Sequence, residues 1–390
     1  MKPSSAVVNL GPWIKGIQNL YDPAMTPKGA VVEANNVLIE SDGSVIPRAG
    51  YAPVTTNVHS LFKHNGVVYG LYNGLVCELY ESTARPLTNT AVTGKVTWGV
   101  LNGEPVLTNS TILARVSGGQ VKQLGVEMPV PTSPSAASPT LPLNAPAGEY
   151  AISFVNEDGE EGPLSPLGTA FLPPTEATVV GTRIYAPTST TTYEGGVASS
   201  VSGGALYLVG SSGAGANAPI GMPAETMNKA RMPGGDFVRY WRGRLLVARG
   251  RTLYFSDPLR YGLYDQSRGF VTFEAKIDFI ESIETGIFVA LRNIGVVFLA
   301  GDSPEKWERR LVDVVTAQPG ASGLVPTALM DLKLQQKPEW VAVWMTNKGF
   351  ALGLPSGNVM YPQADLLSGL PLGTGSLHFD GADRLIVLSQ

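Results

Sequence analysis

One stretch constrains this chain more than any other: a series of short apolar runs, each cut by turn residues, from Phe237 to Gly301. It reads FVRYWRGRLLVARGRTLYFSDPLRYG and then FVTFEAKIDFIESIETGIFVALRNIGVVFLAG. Arg244–Ala248, Thr252–Phe255, Gly286–Leu291 and Gly295–Leu299 are too short for helices. The turn signals are Trp241-Arg242-Gly243, Arg249-Gly250, Asp257-Pro258 and Arg292-Asn293-Ile294-Gly295. Runs of about 4–8 β-branched and aromatic residues bounded by Gly, Pro, Asn and Asp are strands, and this spacing makes hairpin follow hairpin. Two successive units share a layout of strand, Gly turn, very apolar strand, Gly turn and aromatic strand. A four-stranded antiparallel blade reads this way, and it requires neighbouring blades to bury its faces.

The same plan recurs towards the start of the chain. Val58–Lys63, Val67–Tyr72, Leu75–Tyr80 and Arg85–Thr88 are joined through His64-Asn65-Gly66 and Asn73-Gly74. Asn-Gly between apolar runs is the strongest short-range hairpin signal, because both turn positions need positive φ. Residues 95–125 repeat the layout around Asn102-Gly103 and Gly118-Gly119. Gly66 and Gly103 are about 37 residues apart, near the ~40–45 of a propeller blade. Later candidates are Thr327–Leu334, Glu339–Met345, Phe350–Leu354 and Asn358–Tyr361, then a final pair, Ser376–Phe379 and Arg384–Leu388. At the N-terminus Val7–Leu10 and Ala30–Glu40 are strand candidates, Ser41–Ser44 a tight turn, and Tyr21–Gly29, with its two prolines, a loop. The expected fold is all-β: a β-propeller-like body of about six blades, five near-complete and one shared, with N- and C-terminal strands closing the ring. Helix is limited to a single turn near Ser303–Arg309.

The blade pattern lapses in the middle. EMPVPTSPSAASPTLPLNAP, at 127–146, is a Pro/Ser-rich linker, extended rather than folded. After it come strand candidates Gly148–Asn156, Ala177–Tyr185 and Ala205–Val209, as in a small β-sandwich of about 80 residues with its loops. The expected organisation is therefore 1–126 as the first part of the propeller, 127–146 as linker, 147–222 as an inserted sandwich and 223–390 as the second part.

Composition narrows the function. The 45 glycines and 30 prolines suit many tight turns. A net charge of −4 argues against a protein that coats nucleic acid. Cys77 is the single cysteine, so neither an intramolecular disulfide nor a cysteine-based zinc finger is available. The opening MKPSSAVVNLGPW has no signal-peptide apolar core, and the longest apolar run, Ile287–Ala300, is broken by Arg292 and Asn293. Cytoplasmic folding with no membrane span is the expectation.

Five segments together resemble the tail nozzle, or packaged-DNA stabilisation, proteins of tailed bacteriophages. They are GAVVEANNVLIESDGSVIPRAGY (Gly29–Tyr51), GEYAISFVNEDGEEGPLSP (Gly148–Pro166), GRLLVARGRTLYFSDP (Gly243–Pro258), GIFVALRNIGVVFLAGDSPEKW (Gly286–Trp307) and WMTNKGFALGLPSGN (Trp344–Asn358). The resemblance implies a homo-oligomeric, hexameric ring below the portal or its adaptor, with a lumen for double-stranded DNA. It also implies neighbours among the tail fibre or tip proteins, a place in the virion tail assembled in the host cytoplasm, and a fibronectin-type or immunoglobulin-like module at 145–222. The chain is short for a nozzle, and a hub or tail-completion protein of another tail type remains open.

No catalytic, metal-binding or cofactor-binding residue is expected. His59, His64 and His378 lie on different units without metal spacing, and nucleophile elbows and phosphate loops are absent. Glu157-Asp158-Gly159-Glu160-Glu161 lacks the spaced ligands of an EF-hand and reads as a solvated hairpin tip. A glycosidase would need paired carboxylates some ~5–9.5 Å apart, for which Asp257, Asp278, Glu281 and Glu284 are the candidates. Arg231, Arg239, Arg242, Arg244, Arg249, Arg251, Arg260 and Arg268 interleave with Tyr240, Trp241, Tyr254 and Tyr261. That mixture suits a nucleic-acid backbone, but also protein interfaces, where Arg pairs bidentately with carboxylates. Arg239, Trp241, Arg242, Arg244, Arg249 and Arg251 are the candidate interface or DNA-channel contacts, with interface or structural pairing preferred over DNA contact. Trp241, Trp307, Trp340 and Trp344 read as core or interface anchors. Two other functions compete with a structural role: a receptor- or glycan-binding tail-tip protein, and a polysaccharide-degrading tail enzyme.

Overall fold

Among the described residues five hairpins turn on a pair of residues that both have positive φ: Asn65-Gly66 (47° and 81°), Asn73-Gly74 (50° and 81°), Asn102-Gly103 (51° and 82°), Gly118-Gly119 (60° and 75°) and Arg242-Gly243 (44° and 75°). This mirror-image turn matches the right-handed twist of the strands it joins. The computed structural model describes residues 15, 17–20, 22–32, 37–39, 42, 44–47, 57–80, 83–132, 149–187, 206–213, 221–327, 340–367, 369–370, 373–379 and 385–389. The chain divides into two compact units, one of Met1–Thr56 with Ala275–Gln390 and one of Asn57–Glu274. It is all-β, in propeller-like blades.

The first unit opens with a hairpin of β1 (Val37–Ile39) and β2 (Val45–Pro47), where the Ser41–Ser44 turn was expected. Val7–Leu10 lies outside the described residues. In the second unit, β3 (Val58–His64), β4 (Val67–Tyr72), β5 (Leu75–Tyr80) and β6 (Thr83–Pro86) make the first blade. The second is β7 (Thr97–Leu101), β8 (Glu104–Thr108), β9 (Leu113–Ser117) and β10 (Gln120–Gln123). Both are antiparallel meanders in the segments that the Asn-Gly turns mark out.

The guest segment follows as β11 (Ala151–Asn156), β12 (Val179–Pro187) and β13 (Leu206–Gly213), paired in that order. Ile152, Phe154 and Ile184 pack with Val126, Tyr150 and Phe171, while Ala151, Tyr185 and Leu208 pack with Leu164. A strand buried on both faces reads as a continuous apolar run, as AISFVN does. Among the described residues this segment contributes one sheet, covered partly by chain held in isolated bridges such as Pro131↔Phe171 and Tyr150↔Gly168. Residues 133–148 of the linker region and 188–205 lie outside the described residues.

After β14 (Lys229–Arg231) comes the third blade, with β15 (Phe237–Trp241), β16 (Arg244–Arg249), β17 (Thr252–Phe255) and, as fourth strand, β19 (Phe270–Thr272). Between them β18 (Leu263–Asp265) leaves the blade to pair with β14. The first unit resumes with a fourth blade, β20 (Ile277–Ile283), β21 (Gly286–Leu291), β22 (Gly295–Ala300) and β23 (Glu308–Asp313). A 3-10 turn at Pro304–Lys306 stands where a single helical turn was expected. The fifth blade is β24 (Ala317–Pro326), β25 (Trp340–Thr346), β26 (Gly349–Gly353) and β27 (Val359–Met360), followed by the hairpin β28 (Gly375–Phe379) and β29 (Leu385–Ser389). The N-terminal and C-terminal stretches of this unit meet where the Asn19 N–H donates to the Leu366 carbonyl at 2.9 Å.

The fifth blade departs from expectation at its first strand. The opening strand of the fifth blade is Ala317–Pro326 (AQPGASGLVP), not one starting at Thr327. Pro319, Gly320 and Gly323 resemble turn residues, but Gly320, at φ +76°, lies within a break in the pairing between Ala317 and Ser322. Residues 328–334 lie outside the described residues.

Blade faces are buried against their neighbours, as the repeat requires. Tyr69, Leu71 and Val76 of the first blade pack with Trp98, Leu107 and Val116 of the second, and Phe62 stacks on Trp98 at 5.6 Å. Across the guest segment, Leu101, Val106 and Leu113 of the second blade pack with Val238, Leu245 and Val247 of the third. In the first unit, Phe279, Phe288 and Phe298 of the fourth blade form one cluster with Ala342, Trp344 and Ala351 of the fifth.

Candidate interface surfaces

The six singled-out residues of the third blade do not share one surface. β16 is six residues long, about 20 Å at ~3.3 Å per residue, and its two ends carry different groups. At one end the Arg242 guanidinium lies over the Trp241 ring at 5.6 Å, and Tyr240 and Tyr261 meet edge-to-face at 6.2 Å. Leu259 stands out from this end, 74% exposed, its N–H held by the Gly243 carbonyl at 2.8 Å. Trp241 is buried, which makes it a core anchor rather than a contact residue.

Arg244 donates to the Ser256 carbonyl at 2.8 Å and lies over Phe255 at 5.7 Å. Arg239 donates to the carbonyls of Trp98 at 3.0 Å and Val238 at 2.8 Å, acting as a strut from β15 to β7. Beside it the Thr97 hydroxyl donates to the Asp236 carbonyl at 2.7 Å, and Gly235 N–H donates to Thr108 Oγ1 at 2.9 Å. The opposite end of β16 carries Arg249 and Arg251, both exposed. Neither makes an ion pair among the described residues.

The remaining arginines of the series are paired within the chain. Arg231 binds Glu176 at 2.5 Å and the Leu124 and Gly125 carbonyls, Arg260 binds Glu225, and Arg268 binds Asp265 at 3.3 Å. Asp265 also accepts from the Ser267 hydroxyl and N–H at 2.6 and 2.9 Å and from Lys229 at 3.2 Å. The Ser267 bonds, with Lys229, hold its carboxyl far below the usual carboxylate range despite partial burial. This network fastens β18 to β14.

The acidic segment 157–161 is a docking element, not a solvated tip. Asp158 pairs with Arg115 at 2.7 Å and Glu157 with Lys122 at 2.7 Å, which ties the guest hairpin to β9 and β10 of the second blade. Glu161 turns inward instead. It accepts from Ser153 Oγ at 2.5 Å, from Tyr185 OH at 2.6 Å and from Arg183. Burial, and then the bond to Glu161, push the Tyr185 hydroxyl well above the ordinary phenol range. Nothing in a linear charge run distinguishes a solvated tip from one that meets two cations about 40 residues upstream.

The carboxylates considered for glycoside chemistry have other partners. Asp257 pairs with Lys229 at 2.9 Å, Asp278 with Arg292 at 2.7 Å, and the buried Glu281 accepts from Ser322 at 2.7 Å. Of the histidines, His64 contacts the Gly103 carbonyl through Nε2 at 2.8 Å, and His59 contacts Ser60 through Nδ1 at 3.1 Å. His378 lies on β28. Among the described residues no group of three or more His, Cys, Asp or Glu is placed to hold a metal ion, and no helix is long and apolar enough to cross a membrane.

No protein-family model and no curated protein matches the chain. Among solved structures it is similar to YCF48 bound to D1 peptide (12% identity, 87% of this chain and 90% of that one, TM-score 0.31). It is also similar to BBS1N in complex with ARL6DN, soaked with lead (13% identity, 88% and 91%, TM-score 0.32). At these scores the likenesses carry no argument about function, which rests on the chain's own residues.

Proposed function

We propose that this chain is a structural subunit of a bacteriophage tail, of the nozzle kind. It assembles with identical copies into a ring below the portal or adaptor, extends the DNA channel, retains the packaged genome and carries fibre or tip proteins. The observation that carries this reading is the insertion itself. Second and third blades pack face to face through Leu101, Val106, Val238 and Leu245, and the Arg239–Trp98 strut joins their first strands. A separate sheet is spliced into the connection between them. The five segments that resemble nozzle proteins also fall on hairpins: β1–β2, β11 with its acidic turn, β16–β17, β21–β22 and β25–β26.

In a closed ring, modest contacts are multiplied by symmetry, so exposed turn-end groups such as Leu259, Arg249 and Arg251 suffice as contact points between copies. Native mass measurement of the purified chain, with imaging of phage particles carrying a tagged copy, tests the reading. A ring mass and a label at the tail below the head support it. A strict monomer that never joins particles overturns it.

A further inference from the structure

Two sheet edges in the first unit border an open groove of about 700 Å³, lined by Arg310, Leu311, Val312, Leu354, Gly357 and Met360 among others. One edge is β23, the last strand of the fourth blade, and the other is β27, the last strand of the fifth. Among the described residues neither has a strand paired on its outer side. An unpaired edge presents a row of backbone donors and acceptors, and natural proteins usually blunt it with charge, proline or a covering segment. The first half of β23 carries exposed charge in Glu308, Arg309 and Arg310, but its second half is apolar at the surface, with Leu311 55% exposed and Val314, just beyond the strand, 73%.

The groove has a defined chemistry. Arg310 pairs in register with Phe298 of β22, so both side chains lie on one face, and the guanidinium sits 5.8 Å from the Phe298 ring centre. Val312, two residues on, packs against the cluster that contains Phe298. From the other side the fifth blade closes in. A Cβ on Gly357 would stand 2.6 Å from the Phe298 ring, and Met360 is 40% exposed at the rim. Among the described residues Arg310 has no carboxylate partner. An arginine seated on an aromatic ring at the wall of a groove is a ready partner for a carboxylate.

We propose that this groove captures an extended segment of a partner protein, which adds as a strand along β23. Alternate side chains of that segment would enter the groove, a Glu or Asp meeting Arg310 and apolar neighbours lying on Val312, Val359 and Met360. Main-chain bonds to the edge supply affinity and the alternating side chains supply specificity, as in other strand-addition interfaces. A nucleic acid would satisfy Arg310 but not the peptide edge, which favours a polypeptide. The inference goes beyond the tail reading and stands without it.

The test uses the full chain and a short synthetic peptide alternating valine and glutamate, followed by fluorescence anisotropy and hydrogen exchange. Saturable binding is expected, with slowed exchange confined to 308–313. The valine–lysine counterpart, and a Val–Glu peptide N-methylated at alternate residues, should each bind at least about tenfold more weakly, a change of ~1.4 kcal/mol. Arg310→Glu should lose the Val–Glu peptide and gain the Val–Lys one. Equal binding of all three peptides, or binding that leaves 308–313 unprotected, overturns the proposal. So does self-association of the chain that the peptide abolishes, which would assign the groove to a second copy.

Discussion

Gly262 and Gly125 meet backbone to backbone: a Cβ built on Gly262 would stand 2.2 Å from the Gly125 Cα. The contact joins the segment after β10 to the loop before β18, and the adjacent Met232 N–H donates to the Gly262 carbonyl at 2.8 Å. Gly262 does not have positive φ, so what forbids a side chain there is space alone. Gly262→Ala is expected to destabilise the chain by ~3 kcal/mol, at the upper end for overpacking, because the obstacle is main chain. Gly66→Ala is the control. Its Cβ would meet nothing within 4 Å, leaving only the ~1–2 kcal/mol of a positive-φ alanine. Thermal melts of the two variants separate these cases.

Arg242 occupies a position that three sibling turns fill with asparagine, at φ 44°. Arg242→Asn is expected to raise stability by ~0.5 kcal/mol, since Asn tolerates the left-handed region better. A higher denaturation midpoint with unchanged slope would show it. No gain would mean that the stacking of Arg242 on Trp241 outweighs the backbone strain.

The Arg115–Asp158 and Lys122–Glu157 pairs are partly exposed, so their contribution to global stability is small. Arg115→Ala with Lys122→Ala is expected to cost no more than ~1 kcal/mol. Locally the effect should be larger, with hydrogen exchange across 156–161 speeding up, and high salt mimicking it in the unmodified chain.

Asp265 makes the acid limb of the stability curve testable. Its carboxyl is depressed in the folded chain and near 3.9 when unfolded. Its contribution is therefore complete above about pH 4 and disappears as pH falls through the folded value. Asp265→Asn should be less stable than the parent at neutral pH, and the gap should narrow steadily as pH falls below about 4. Urea midpoints measured across that range check it.

Tyr185 and Tyr361 should answer in the opposite range. Burial first, then hydrogen bonds to Glu161 and Asp313, raise both phenols above the ordinary value of 10.0. A raised value means stability that is complete below the unfolded pKa of about 10 and lost as pH climbs beyond it. In an alkaline absorbance titration these two tyrosines should ionise last, with unfolding. Tyr185→Phe should cost ~1 kcal/mol at neutral pH, and that deficit should shrink above about pH 10.

The blades were legible because their signals are local. Asn65-Gly66, Asn73-Gly74 and Asn102-Gly103 specify turns by φ alone, and the runs between them carry the strand pattern without reference to the rest of the chain. Where local and tertiary demands part, the reading slipped. Pro319, Gly320 and Gly323 look like a turn, yet lie in a strand whose irregular pairing gives Gly320 its place. The arginines show the same limit: eight of them in one stretch look like a basic surface, but Arg231, Arg239 and Arg260 find partners at Glu176, Trp98 and Glu225, far away in the chain.

Sequence alone determined that this protein is a succession of short antiparallel hairpins around apolar strands, interrupted by a segment of another kind, because alternation and turn chemistry act within a few residues. Tertiary structure decided which charges are available. Arg239 is held by a carbonyl of β7 and Asp158 by cations of the second blade, while Arg310 is left over an aromatic ring between two open edges. Such pairings depend on which blade lies against which, and no short window of residues contains that information.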